Sequence, residues 1–176
     1  MKRTIICLLL AVCMALGLAG CGGVLFSGGQ ESESHEYSVG DDVETMFFDF
    51  TVDSAAAVES AFGCAPTAGN MLVDVCVTIT NTFGDDLPMG TFDFQIQWGD
   101  GDEDYGWPVE GYTDPALMPS EYTLAGGETV TYHMLFEVPA GSEQACIAYG
   151  DYYTTEDGEE GVGDYYFVFF PLASAL

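Results

Sequence analysis

Beyond residue 3 this chain contains no lysine and no arginine, while all 29 of its Asp and Glu residues come after Cys21. That absence excludes whole classes of function. Nucleic-acid binding depends on Lys and Arg neutralising phosphates, so no nucleic acid is expected as a partner. Arginine clamps on phosphate or carboxylate ligands and a Schiff-base lysine are ruled out for the same reason. Past Arg3 only His35 and His133 can carry positive charge, so Lys and Arg salt bridges cannot hold the fold together. Long apolar runs are also missing. The stretch from Ile5 to Leu16 falls short of the roughly 20 residues that span a bilayer. No segment has helical periodicity, and no nucleophile–base pair, metal triad or phosphate-binding loop is visible. The chain therefore reads as a non-enzyme with no catalytic residues, although hydrolysis by two carboxylates is open to any chain so rich in acid.

The beginning of the chain is informative. Lys2 and Arg3 precede the apolar run, and Leu18-Ala19-Gly20-Cys21 follows it. A basic start, a short apolar core and a small-residue cleavage site make a secretory signal. With a cysteine directly behind the small residues, the motif resembles the lipobox of bacterial lipoproteins. The resemblance implies cleavage before Cys21 and a diacylglyceryl group on its sulfur. Two acyl chains are what stable anchoring needs, so the protein is expected on the outer face of the cell membrane. Residues 1–20 are then the signal peptide. Residues 21–36, rich in Gly, Ser and Glu, read as a flexible tether, and residues 37–176 as one folded domain.

The 12 Phe, 10 Tyr and 2 Trp give this polyanion a core that a disordered acidic chain would lack. Much of the aromatic content lies in alternating runs. From Met71 to Asn81, residues Met71, Val73, Val75, Val77 and Ile79 alternate with Leu72, Asp74, Cys76, Thr78 and Thr80, the period of a half-buried strand. Similar runs cover Val43 to Phe48, Phe50 to Val58, Thr91 to Trp98 and Thr129 to Val138. Glu103 to Val109 returns as a hairpin strand over Gly99-Asp100-Gly101-Asp102, and Glu121 to Leu124 forms a short edge strand. Ala145 to Thr154 and Asp164 to Phe170 form a last hairpin over the loop Glu156 to Gly163. This spacing predicts an all-β, immunoglobulin-like antiparallel sandwich of seven to eight strands.

Several pieces recur in a family-like order. They are Tyr37-Ser38-Val39-Gly40-Asp41, Phe50-Thr51-Val52-Asp53-Ser54, Met71 to Val75 leading into Ile79-Thr80-Asn81-Thr82, Phe92-Asp93-Phe94 before an acidic turn, and Leu124 to Val130 leading into Phe136-Glu137-Val138-Pro139. In that order they resemble the immunoglobulin-like (telokin-like) domain of unknown function found in lipoproteins of Gram-positive bacteria. The resemblance covers about Tyr37 to Tyr149 and carries no catalytic residues. It implies a cell-surface binding or interaction domain. The chain departs from such relatives in its lack of surface Lys and Arg.

Candidate sites follow from the residues. Asp100, Asp102 and Asp104 alternate as oxygen ligands of calcium do in an EF-hand loop, but Tyr105 and Gly111 occupy that motif's Gly and Glu positions. The alternatives are a divalent-cation (calcium) site and an acidic hairpin turn. No other cofactor is expected. Cys64, Cys76 and Cys146 are an odd set once Cys21 is lipidated, which allows at most one bridge. The candidate is Cys64–Cys76, and three free thiols are the alternative. His133 reads as a lone outward histidine, and His35 falls in the tether. Tyr105, Trp107 and Tyr112 form a candidate contact surface for a protein or glycan, with Tyr152, Tyr153, Tyr165 and Tyr166 as further exposed aromatics. Cross-strand pairing is the bland account of all of them.

Overall fold

The computed structural model describes residues 32–155 and 157–172; the expected signal peptide, the expected lipidation site Cys21 and most of the expected tether lie outside the described residues. Eleven strands follow in chain order: β1 (Ser34–Ser38), β2 (Asp42–Glu44), β3 (Phe48–Val58), β4 (Asn70–Asn81), β5 (Leu87–Met89), β6 (Gln95–Gln97), β7 (Tyr105–Gly106), β8 (Tyr122–Leu124), β9 (Thr129–Pro139), β10 (Gln144–Thr154) and β11 (Glu160–Pro171). One sheet has the order β1-β11-β10-β6-β7, the other β2-β3-β4-β9, and β5 with β8 makes a small third ribbon. The two larger sheets form the sandwich that the alternation predicts.

Alternation explains the long strands. Phe50 stands opposite Ile79 and Val52 opposite Val77 across β3 and β4. Val73, Val75, Val77 and Ile79 all face inward and are fully buried. From the other sheet Ile96, Ile147, Val168 and Phe170 meet them in one continuous core. Four rings bridge the layers. Phe48 lies 4.8 Å from Tyr149 between ring centroids, Phe50 lies 5.4 Å edge-on from Phe94, and Phe94 lies 5.8 Å from Tyr149. Such offset and edge-on pairs add to what burial of the rings contributes.

Several expectations change. Eleven strands among the described residues replace seven to eight: β1 is too polar and β5 too short to register as a periodic run, whereas β6, β7 and β8 fall within the runs expected at Thr91 to Trp98, Glu103 to Val109 and Glu121 to Leu124. The sandwich is not wholly antiparallel, since β1 runs parallel to β11. Residues 34–36 belong to that strand, so the tether ends earlier than position 36. The run from Phe50 to Val58 is strand as expected, with a bulge between Val52 and Ser54. Thr91–Asp93 is a 3-10 turn instead of strand. The final hairpin closes tightly, with Thr155 donating to the Glu159 carbonyl at 2.8 Å, and Glu160 to Gly163 fall within β11 rather than in a loop.

Register also orients the molecule. Ser34 lies beside Tyr165, and Ser38 beside Phe169. Cys146 pairs with Phe169 on one side and with Gln97 on the other. The chain therefore enters at the end of the sandwich that holds the β10–β11 turn. The β6–β7 turn, the start of β10 and the end of β11 occupy the opposite end.

Candidate functional site

The β6–β7 turn is built by its own acid. Trp98 donates to the Asp104 carbonyl at 3.0 Å, Asp104 donates to the Gly101 carbonyl at 3.0 Å, and the Gly101 amide donates to Asp104 Oδ2 at 2.9 Å. A Cβ on Gly99 would stand 2.4 Å from that same oxygen, so a side chain there would displace the Asp104 carboxylate from its place in the turn. Asp100 and Asp102 are exposed and their partner Asp104 is turned into the hairpin. Among the described residues no three His, Cys, Asp or Glu side chains are placed to hold a metal ion. The expected calcium triplet is thus not assembled, because one of its three carboxylates serves the turn.

The three aromatics expected as one contact surface divide into two groups. Tyr105 and Trp107 meet edge-on at 6.3 Å, and Phe92 approaches Trp107 at 6.2 Å. Trp107 remains 41% exposed in that cluster. Tyr112 lies apart beside Cys64, and the hydrogen bond with that thiol, then its charge, pushes the Tyr112 hydroxyl up. Phe92 is the member that sequence reasoning placed wrongly. The strand pattern put it in phase with Phe94 and Ile96, whereas the 3-10 turn rotates it toward Trp107. Of the other tyrosines, Tyr152 is exposed and meets Tyr165 at 6.3 Å. Tyr166 is 5% exposed and points inward, and Tyr153 packs against the core.

Cys64, Cys76 and Cys146 are all free thiols, so the expected Cys64–Cys76 bridge does not form. Cys64 packs with Leu72 and Leu135 on the outer face of the β4 sheet. Cys76 lies further along that face beside Asp53, with its Sγ 3.9 Å from Asp53 Oδ2. Burial, then the charges of Asp53 and Asp74, push the Cys76 thiol up. Burial against Ala148 and Phe167 pushes Cys146 up to about 12. Neither is held as the thiolate that nucleophilic chemistry needs.

Neither histidine is alone. His133 Nδ1 is 2.7 Å from Asp74 Oδ1, and its ring lies 5.1 Å from Phe62. His35 lies in β1, with Nε2 3.1 Å from Asp164 Oδ2 and its ring stacked 5.4 Å from Tyr166. Both partners come from distant strands, which no local pattern reveals.

Two further carboxyls are pushed up by burial. Asp93 rises to about 6, partly offset by the hydrogen bond it accepts from the Gly90 amide at 2.7 Å. Asp151, 1% exposed, rises for the same cause. It accepts from the Tyr166 hydroxyl at 3.0 Å and from the Met46 amide at 3.2 Å, fastening the β2–β3 turn to the opposite sheet. Glu137 goes the other way. Bonds from Thr67 and from Asn70 Nδ2, at 2.8 Å, hold its carboxyl low and pin the loop before β4.

No protein family matches the sequence, and no curated protein matches it. Solved structures do match in shape. A candidate lipoprotein of Bacillus subtilis, YcdA, aligns with a TM-score of 0.51 at 16% identity over 78% of this chain and 39% of its own. The YjhA protein of Bacillus subtilis aligns at 0.51 and 15% identity over 74% of this chain and 99% of its own. An uncharacterized β-sandwich protein of Clostridium difficile aligns at 0.46 and 14% identity. This chain thus spans well under half the length of YcdA. At these identities the likeness defines a fold: the protein is a β-sandwich domain of unknown function.

Proposed function

We propose that this protein is a lipid-anchored, extracytoplasmic interaction module, with an immunoglobulin-like domain of the telokin-like kind, that presents an aromatic surface to a protein or glycan without catalysing a reaction. The observation that carries the reading is Trp107, a large side chain left 41% exposed yet fixed between Phe92 and Tyr105. Rigid, half-exposed aromatics are what contact surfaces use. The lipobox-like Leu18 to Cys21 supports the anchor, and the fold of YcdA, a candidate lipoprotein, is compatible with it. The perturbed titratable groups support a non-catalytic role, since Asp93, Asp151 and Glu137 each serve a turn, a sheet contact or a loop. The polyanionic chain favours partners at a wall or membrane surface that are neutral or cationic over anionic ones.

A photo-crosslinking residue at position 107, introduced in cells that make the native lipoprotein, tests this. The same residue at position 78, on the outer face of β4, is the control. A discrete adduct at 107 that is absent at 78, and that Tyr105→Ala weakens, is the expected result. Equal labelling at both positions, or none at 107, would overturn the proposal.

A further inference from the structure

The two large sheets turn different surfaces to solvent. The outer side of β2, β3 and β4 carries Asp42, Glu44, Asp49, Asp53 and Asp74, laced with hydroxyls: Thr78 donates to Asp53 Oδ2 at 2.7 Å and Thr51 to Asp42 Oδ1 at 2.9 Å. The outer side of the other sheet is nearly uncharged. Register aligns Phe169, Cys146, Gln97 and Tyr105 in one rung across β11, β10, β6 and β7. Phe167, Ala148 and Gln95 make the next rung, which ends at Glu36 on the edge strand β1. Alternation puts both rungs on the same side. Phe167 and Phe169 lie 6.5 Å apart between ring centroids, while Val168, Ile147 and Ile96, between the rungs, point into the core. Glu36 is the one charged residue in the two rungs. Phe169 is 40% exposed, and from it to Tyr105 the rung crosses three strand spacings, roughly 14 Å. Gln97 Nε2 donates to Gln95 Oε1 at 3.1 Å. Among the described residues no hydrogen bond engages Gln95 Nε2 or Gln97 Oε1, which leaves a donor and an acceptor side by side. Gly150 shapes the end of this face nearest the chain entry. A Cβ there would stand 2.9 Å from Tyr152 Cε2 and 3.0 Å from Tyr165 Cδ1, so both rings fold over bare backbone.

We propose that this outer face of β11, β10, β6 and β7 binds a neutral glycan chain, with sugar rings stacked on Phe169 and Tyr165 and sugar hydroxyls bonded to the Gln95 and Gln97 amides. Charge distribution identifies the occupant. The 29 acidic residues repel anionic polymers and a second copy of this chain alike. A basic partner is drawn to the carboxylates of the opposite sheet, and this face offers it only Glu36. A neutral polymer suits an uncharged window. Its hydroxyls both donate and accept, as the two amides do, and the carbon-bound hydrogens on the flat side of a sugar meet the negative face of an aromatic ring. The inference rests on the reading of this protein as an interaction module and names what the module takes.

The test titrates the mature chain with Cys21→Ser, labelled with 15N, at physiological salt. The probes are the linear hexasaccharides of glucose and of N-acetylglucosamine, with the anionic hexasaccharide of galacturonic acid as control. A neutral probe should move the Gln95 and Gln97 side-chain amide resonances saturably, and the anionic one should not. Phe169→Ala and Gln97→Leu, both outside the core, should each weaken binding about three- to tenfold while leaving the resonances of the core unchanged. No shift with either neutral probe, equal binding of the anionic one, or binding that neither substitution weakens would overturn the proposal. A failed titration beside a protein adduct at position 107 would mean that the module takes a protein. Failure of both the titration and the adduct would remove the module reading as well.

Discussion

Lowering the pH from 8 to 5 should raise the melting temperature of this protein. Asp93 ordinarily titrates near 3.8, and burial lifts it to about 6 in the folded chain. Above 6 both states have lost the proton, and the folded state bears the cost of a desolvated charge. Between 3.8 and 6 the folded state keeps a proton that the unfolded chain has lost, so stability grows as pH falls through that window. Asp151, raised by burial, acts in the same direction. Relief of self-repulsion among the acidic residues adds to both. Asp164 and Glu137 oppose them. Hydrogen bonds hold both low, so their stabilisation is present above about pH 4.5 and is lost in stronger acid. The optimum should fall near pH 5. Asp93→Asn keeps an acceptor for the Gly90 amide and removes the charge, so it should gain about 1–3 kcal/mol at pH 8 and flatten the profile between pH 5 and 8. Thermal melts across that range check this. A melting temperature that falls steadily from pH 8 to 5, or an Asp93→Asn protein no more stable at pH 8, would contradict the placement of that carboxyl.

Phe94→Ala should be the most damaging single change. Phe94 is fully buried and its ring touches Phe48, Phe50 and Tyr149, so it joins the two sheets where β6 begins. Truncating a buried phenylalanine costs about 3–5 kcal/mol, from lost transfer energy and the cavity left behind. A domain of this size has only about 5–15 kcal/mol to lose. The melting temperature should drop by roughly 10 °C or more. Trp107→Ala, which removes an exposed ring, should shift it by a few degrees at most. Chemical denaturation of the two variants measures the contrast, and equal losses would show that Trp107 is packed as core rather than presented.

The long strands were legible because their side chains obey one rule over many residues. Val73, Val75, Val77 and Ile79 in β4, and Met134, Phe136 and Val138 in β9, alternate cleanly, and the outward phase of Cys76 followed from the same count. Short strands lack that redundancy. β5 is Leu87-Pro88-Met89, three residues with a proline at the centre, and it pairs only because β8 lies beside it. β1 is mostly polar and pairs in parallel with a strand 131 residues away, as Ser34 does with Tyr165, so nothing local marks it. The same limit applies to the candidate sites. Tyr105 and Trp107 meet because residues two apart in an extended segment share a face. The Phe92–Trp107 contact and the Asp74–His133 pair are made between separate segments brought together by the fold. Asp100, Asp102 and Asp104 had the right spacing for ligands, but the turn uses Asp104 for its own amides, and spacing alone carries no information about that competition.

The central claim is that the sandwich is held outside the cell by lipid on Cys21 and presents its free surfaces from there. The intact mass of the protein extracted from the membrane fraction of the producing cells tests it most directly. A chain that begins at Cys21 and carries the added mass of a diacylglyceryl group is the predicted result. A chain recovered from the soluble fraction without lipid, or one that keeps residues 1–20, would contradict it.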